Sequence, residues 1–388
     1  MKISILPLAL LLGVASCGNG SSKKQTPQDT GRKAPKNQKV SASAPADSAY
    51  THFAHFIAGS EGGKGYKAAA QADWKAYSEQ NAAKWKELQT KIGAPIEQWV
   101  KSAALEKNPE PGTLFYPFAG GDYYYAHMFF PKQDTVIMIG LEPGGSIFNP
   151  DTLGAGKRTA YYESLQKSMF FPHWLGFFRT KSMAVDFNRG VLNGTLHTVL
   201  FYLARFDAKI HYIEHFDLDK TGKEINKLNG REMRRGTTRT AYRVGYSLPG
   251  SDKVKEVMYF SYDASNQNLA AKPHLLNWLK SRGKVVTFFK AASYLMHYDM
   301  FSTMREFVNK YTVRLLQDDS GLPYKFMQNN GFEVKLLGQY TRTIALFANE
   351  FQPELKKAYA AAKPAVLPFM IGYNAEFREC NLQSAVKK

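Results

Sequence analysis

The chain has 388 residues, with 51 Lys and Arg against 33 Asp and Glu, a formal net charge of +18, and only two cysteines. That length allows one large domain or two modest ones with a substantial core, and two cysteines exclude a disulfide-rich scaffold. Part of the positive surplus is local, so it does not by itself define a partner.

Lys2, an apolar run over residues 3–14 and the small residues Ala15 and Ser16 lead to Cys17. The run is too short for a permanent membrane span and has the layout of an export signal. The string Val14-Ala15-Ser16-Cys17 resembles the lipobox of bacterial lipoproteins. The resemblance implies that the signal, residues 1–16, is removed and that the Cys17 thiol is diacylated, as in palmitate-bearing lipoproteins. It also implies export to the cell envelope and anchoring in a membrane, the outer rather than the inner. An acylated Cys17 leaves Cys380 without a partner in the chain, so stability must come from the core. Residues 17–48 read as a tether, because between Gly18 and Pro45 the residues Lys23, Lys24, Arg32, Lys33, Lys36 and Lys39 are opposed only by Asp29 within polar, Gly- and Pro-containing sequence. Its charge suits an anionic membrane surface.

Residues 49–110 form a helical N-terminal segment expected to pack on the main domain, residues 111–380. Trp74, Tyr77, Trp85, Leu88, Ile92, Ile96 and Trp99 recur at helical spacing, and Gly93 with Pro95 should divide the element in two. From residue 114 short apolar runs alternate with helices. Strands are expected at 114–118, 135–141, 285–289 and 313–317, with helices at 122–130, 275–281 and 302–311. Residues 158–205 read as helical, interrupted at Pro172 and around 188–193. Strands at 209–215, 240–246 and 254–262 suggest an antiparallel extension, 334–337 a late edge strand, and 353–362 a final helix opened by Pro353. The fold class is therefore α/β, a mixed and mostly parallel sheet flanked by helices, with an antiparallel β extension.

In such sheets ligands bind outside the carboxyl ends of the strands. Those ends carry Asp122 after Gly120-Gly121, Glu142 before Pro143-Gly144-Gly145, Lys290, and Asp318-Asp319-Ser320-Gly321. Asp122, Glu142, Lys290, Asp318 and Asp319 are the candidate catalytic residues, because paired acids share acid and base duties or hold a divalent cation, and a lysine polarises an oxygen. The competing reading is structural: Asp122 caps a helix, Asp-Asp-Ser-Gly makes a turn, and Lys290 pairs with Asp318. Ser293 and His297 lack a third group for a triad. Residues 154–159 miss the phosphate-loop spacing, 217–228 miss a calcium loop at positions eight and twelve, and His211 with His215 lack a third zinc ligand.

Arg231, Arg234 and Arg235, with Arg239 and Arg243 nearby, are the candidate binding patch. They lie in Gly- and Thr-rich sequence without interleaved aromatics, which favours acidic glycans or lipid head groups over nucleic acid. The strings YPFAGGDYYYAHMFFP, GLEPGG, FKAASYLMHYDMFSTMR, LLQDDSGLPYKF and LPFMIGY, spread over residues 114–373, resemble an uncharacterised family of exported bacterial proteins. That resemblance implies one continuous unit and brings no reaction with it. The expected function is a lipid-anchored, hydrolase-like envelope enzyme with an acidic cleft at the strand ends; the alternative is a non-catalytic glycan-binding or envelope-assembly lipoprotein.

Overall fold

A computed structural model describes residues 47–102, 112–175, 191–232, 239–373 and 379–388, which belong to one compact unit. In chain order the helices are α1 (Ser48–Ala58), α2 (Ala72–Leu88), α3 (Ala94–Ser102), α4 (Tyr123–Phe129), α5 (Ala155–Leu175), α6 (Thr195–Arg205), α7 (Asn266–Ala271), α8 (His274–Ser281), α9 (Ser302–Tyr311), α10 (Tyr324–Asn329) and α11 (Pro353–Ala362). The strands are β1 (Thr113–Tyr116), β2 (Thr135–Gly140), β3 (Lys209–Leu218), β4 (Glu224–Asn229), β5 (Ala241–Ser247), β6 (Lys255–Ser261), β7 (Val285–Phe289), β8 (Thr312–Gln317), β9 (Phe332–Gly338) and β10 (Asn381–Lys387).

All ten strands join one mixed sheet in the order β4-β3-β5-β6-β2-β1-β7-β8-β10-β9. The central strands β6, β2, β1, β7 and β8 run parallel, each paired with its neighbour. The strands β3, β4 and β5 extend the sheet antiparallel beyond β6, as the sequence suggests. The parallel strands lie in the spatial order third, second, first, fourth, fifth of their own chain sequence. The chain therefore leaves β1 toward β2 and β6, then returns across to β7 on the other side. The junction of β1 and β7 is therefore the switch point of a doubly wound sheet, the place where such sheets bind ligands.

Alternation along the strands explains why both faces are covered. Leu114, Tyr116, Val136, Met138, Val286 and Phe288 pack into one core, under α1, α2, α4 and α6. Phe115, Ile137, Ile139, Val285 and Phe289 point the other way into a second core, with Leu275, Trp278, Met304 and Phe307 from α8 and α9. Side chains that alternate in this way, apolar on both sides, are what a buried parallel strand needs.

Four local features differ from expectation. Pro95 does not split the N-terminal helix: a π-turn over Gln89–Gly93 joins α2 to α3, and Ala94 N–H donates to Gln89 O. The wider turn accommodates the missing proline N–H and the ring's crowding of the preceding turn. Pro172 does not interrupt α5, which runs on to Leu175; the cost is the loss of one hydrogen bond to the Ser168 carbonyl in the turn before it. The polar turn expected in place of a calcium loop is present, with Asp219 Oδ1 accepting from Thr221 N, Thr221 Oγ1 and Lys223 N at 2.9, 2.7 and 2.9 Å, but it leads into an additional strand, β4. The last strand, β10, lies beyond Cys380 and is inserted antiparallel between β8 and β9. Its buried Gln383 and Ser384 break the apolar pattern by which a strand is read.

Candidate active site

The loop from β1 to α4 is built by close backbone approach. Gly120 has φ +54°, and a Cβ on it would lie 2.9 Å from Glu142 Oε1. On Gly140, at the end of β2, a Cβ would lie 2.4 Å from Glu142 Oε2, 2.7 Å from Tyr259 Oη and 2.9 Å from Gly120 Cα. The two glycines thus admit the Glu142 carboxylate against the backbone of both strand ends. Tyr259 Oη donates to Glu142 O at 2.8 Å and to Oε2 at 3.2 Å, from the middle of β6.

Asp122 occupies the N-cap position of α4, and the Tyr125 amide is among the groups that lower its pKa. Its Oδ2 accepts from Tyr116 Oη at 2.8 Å and from Lys290 Nζ at 2.8 Å, with both charged side chains 2% exposed or less. Lys290 Nζ also stands 4.0 Å from the centroid of the Tyr125 ring. Desolvation raises the Asp122 pKa, and the Lys290 charge opposes it.

The turn that follows β8 places Asp318 and Asp319 in different surroundings. Asp318 Oδ2 accepts from Ala291 N at 2.7 Å, and Oδ1 from Ser320 N at 3.0 Å and from the Ser320 hydroxyl. Burial pushes its pKa up, while the Ser320 hydrogen bond, the Ala291 amide and Lys290 pull it down. Asp319 Oδ1 accepts from Asn381 Nδ2 at 2.7 Å and Oδ2 from the Tyr294 hydroxyl. Burial first, and then the Asp318 charge, hold its pKa at about 7. The sequence's alternative pairing of Lys290 with Asp318 therefore gives way to Lys290 with Asp122, with Asp318 held by the neighbouring Ala291 amide.

Backbone strain concentrates in the same two loops. Phe118, after β1, and Ala291, Ser293 and Tyr294, after β7, all have positive φ of 49–60°. Non-glycine residues in that region are held there by their surroundings, and such strain clusters at functional sites. Ser293 donates from its N–H to Tyr373 Oη at 2.9 Å, and its Oγ lies 3.0 Å from the same oxygen. His297 instead faces Glu350 at 3.4 Å, with burial lowering its pKa to about 4, so the two do not form a nucleophile–base pair.

The strand-end acids are thus brought to one edge of the sheet but arranged as two neighbouring groups. Glu142 sits with Gly120, Gly140 and Tyr259; Asp122, Lys290, Asp318 and Asp319 form a continuous interior network. Among the described residues no group of three or more His, Cys, Asp and Glu could hold a metal ion, so the divalent-cation expectation finds no ligand set there. His215 Nε2 pairs with Gly145 O at 2.9 Å and His211 Nε2 with Ser247 Oγ at 2.9 Å. Sequence reasoning did not single out Tyr116, Tyr125, Tyr259, Tyr294, Tyr373 and Asn381. The run Tyr123-Tyr124-Tyr125 beside an acid was the available signal, since buried tyrosines need polar partners.

Of the basic patch, Arg231 Nη2 binds both carboxylate oxygens of Asp47, at 2.5 and 2.7 Å, and its guanidinium lies over the Tyr50 ring. Arg239 pairs with Asp217 at 3.4 Å and Arg243 with Glu214 at 2.8 Å. Arg234 and Arg235 lie outside the described residues. Cys17 also lies outside them, while Cys380 is a buried free thiol whose Sγ accepts from Ile371 N at 3.2 Å. No family model, curated protein or solved structure matches this chain.

Proposed function

We propose that this protein is a lipid-anchored enzyme of the bacterial cell envelope, hydrolase-like in its chemistry, working at the carboxyl edge of the central strands. The observation that carries the reading is the convergence of Asp122, Lys290, Asp318 and Asp319 in strained loops at the switch point. Asp319, with a pKa of about 7, is the general acid and base, since a group poised near neutral pH serves both directions of proton transfer. Asp318 maintains that pKa by its charge, and Lys290 balances the negative charge of the group.

Asp319 is buried, and residues of the segment 339–352 pack over its surroundings. The Phe347 ring packs 5.0 Å from Tyr294 and 5.1 Å from Tyr373, Gln352 Nε2 donates to Asp319 O at 2.9 Å, and Glu350 faces His297. That segment is the part that must move for a substrate to reach the acid. The test is release of soluble fragments from isolated envelope polymers, followed by mass spectrometry. Asp319→Asn is expected to stay folded and lose release by at least about a hundredfold, the scale of a lost general acid. Equal release by both proteins, or none from any polymer, overturns the reading.

The glycan- or lipid-binding alternative is weaker because Arg231 is already satisfied by Asp47. Among the described residues no helix is long and apolar enough to cross a membrane. The proposed attachment therefore rests on acylation of Cys17. Cys17→Ser is expected to abolish labelling by an alkyne-bearing fatty acid and to release the protein from the membrane fraction. Labelling that survives the substitution rules the anchor out.

A further inference from the structure

We propose that the amino edge of the central strands is a membrane-facing surface that rests on anionic phospholipid, with the candidate acids turned away from the bilayer. This deepens the proposed function by giving the protein a working orientation, and it rests on that reading only for the membrane as partner.

Two independent observations lead there. The first is a cluster of lysines where α9 meets β8. Lys284, just before β7, donates from Nζ to Lys310 O at 2.8 Å, and Lys387, at the end of β10, donates to Asn309 O at 3.0 Å. The C-terminus of a helix attracts cations in this way, and carbonyl partners fix the side chains without cancelling their charge. Lys388 follows, and Lys284, Lys310 and Lys388 are exposed. The acids of this corner are Glu333, 3.8 Å from Lys388, and Glu306, one turn before Lys310 on α9. Burial and then the Lys284 charge lower the Lys387 pKa, so the cluster holds a repulsion that an anionic surface relieves. The neighbouring strand starts add Lys132, Lys253 and Lys255 against Asp134 and Asp252, with Lys253 paired to Asp134 at 2.5 Å.

The second observation is where the chain enters. Asp47 N–H donates to Ile210 O at 2.9 Å, beside the start of β3, and β3 runs in the same direction as β6 because β5 pairs antiparallel with both. The segment that carries the proposed anchor therefore joins the folded unit from the amino side. The opposite edge holds Asp122, Glu142, Asp318 and Asp319 with Lys290, and the exposed Asp263 and Asp299. A domain with cations at one edge and acids at the other is turned by the field of an anionic surface, lysines inward. That orientation leaves the candidate acids on the side away from the lipid, open to an envelope polymer.

The test is a lysine footprint. The full chain is mixed with vesicles of phosphatidylglycerol and phosphatidylcholine, or of phosphatidylcholine alone, acetylated briefly, and each lysine is read by mass spectrometry. On the anionic vesicles Lys284, Lys310, Lys387 and Lys388 are expected to react at least about fivefold more slowly than on the neutral ones, the scale of one lysine's attraction to such a surface. Lys220 and Lys325, exposed at the opposite edge, should react equally on both. Salt at about 0.5 M should remove the difference. Lys310→Gln with Lys388→Gln, both at exposed positions, should abolish the protection of Lys284 and Lys387 while the thermal midpoint stays unchanged. Failure of the chain to float with the anionic vesicles overturns the proposal. So does equal labelling on both compositions, protection of Lys220 and Lys325 instead, or protection that survives the salt or the double substitution. Neither polymer release nor acyl labelling of Cys17 enters this readout, so the two readings fail separately.

Discussion

Asp319→Asn is expected to stabilise the protein at neutral and alkaline pH, and to leave its stability nearly unchanged in acid. In the folded chain this carboxyl holds its proton up to about pH 7, whereas an unfolded aspartate releases it near pH 3.9. Between those values the native state binds more protons than the unfolded state, so stability falls as pH rises through that window. The contribution is fully present below about pH 4 and gone above about pH 7. Its upper limit is on the order of 4 kcal/mol, because each pH unit is worth about 1.4 kcal/mol. The asparagine keeps an oxygen for Asn381 Nδ2 and sets an amide against the Tyr294 hydroxyl, which rotates to accept. A gain of at least about 1 kcal/mol above neutral pH is therefore expected. Urea titrations of both proteins at acid, neutral and alkaline pH check this. Parallel pH profiles for the two would show that Asp319 is not the buried acid described. A residue whose replacement raises stability while removing activity is the signature of a strained functional site.

Lys290→Met is expected to act in the opposite direction, lowering stability by about 3–5 kcal/mol at neutral pH. The methionine matches the volume of the lysine stem, so packing is not the cause. Asp122 loses the ammonium 2.8 Å away, in a place where water does not reach it, and Asp318 loses the positive charge that lowers its pKa. The deficit should shrink as pH falls, because a protonated Asp122 needs no counter-charge. Adding Asp122→Asn to Lys290→Met should recover a large part of the loss, since it removes the stranded charge and leaves an acceptor for Tyr116. Denaturant midpoints for the two single variants and the double variant measure the coupling. Additive losses would mean that the pair is not acting as a unit.

The central architecture was readable because its signals are local. The apolar runs that became β2, β7 and β8 are short, bounded by turns and buried on both sides, so each declares itself without its neighbours. Glu142, Asp318 and Asp319 follow at once from those strands, because a residue one or two places past a parallel strand must sit at its carboxyl edge. The strands β4 and β10 were not readable. β4 carries exposed polar residues on both sides, and β10 buries Gln383 against Gln317 of β8, which no local pattern announces. The π-turn at Gly93 belongs to the same class, since proline alone predicts a break and the packing of Ile92 and Ile96 keeps the helix continuous.

By itself, the sequence determined which residue types stand at the strand ends, and it placed a cysteine after a signal-like run. The tertiary structure decided which of those residues meet. Asp122 and Lys290 are separated by 168 positions, and Asp319 is held by Asn381 from a strand not recognised in advance. Whether an aspartate at a helix start also reaches a lysine across the sheet depends on strand order, and strand order is set by long-range burial rather than by local propensity. Burial also gave the acids their chemistry. The same Asp-Asp-Ser-Gly string would be an ordinary turn in water, and becomes a pair of carboxyls with raised pKa values only where β7, β8 and β10 close around it.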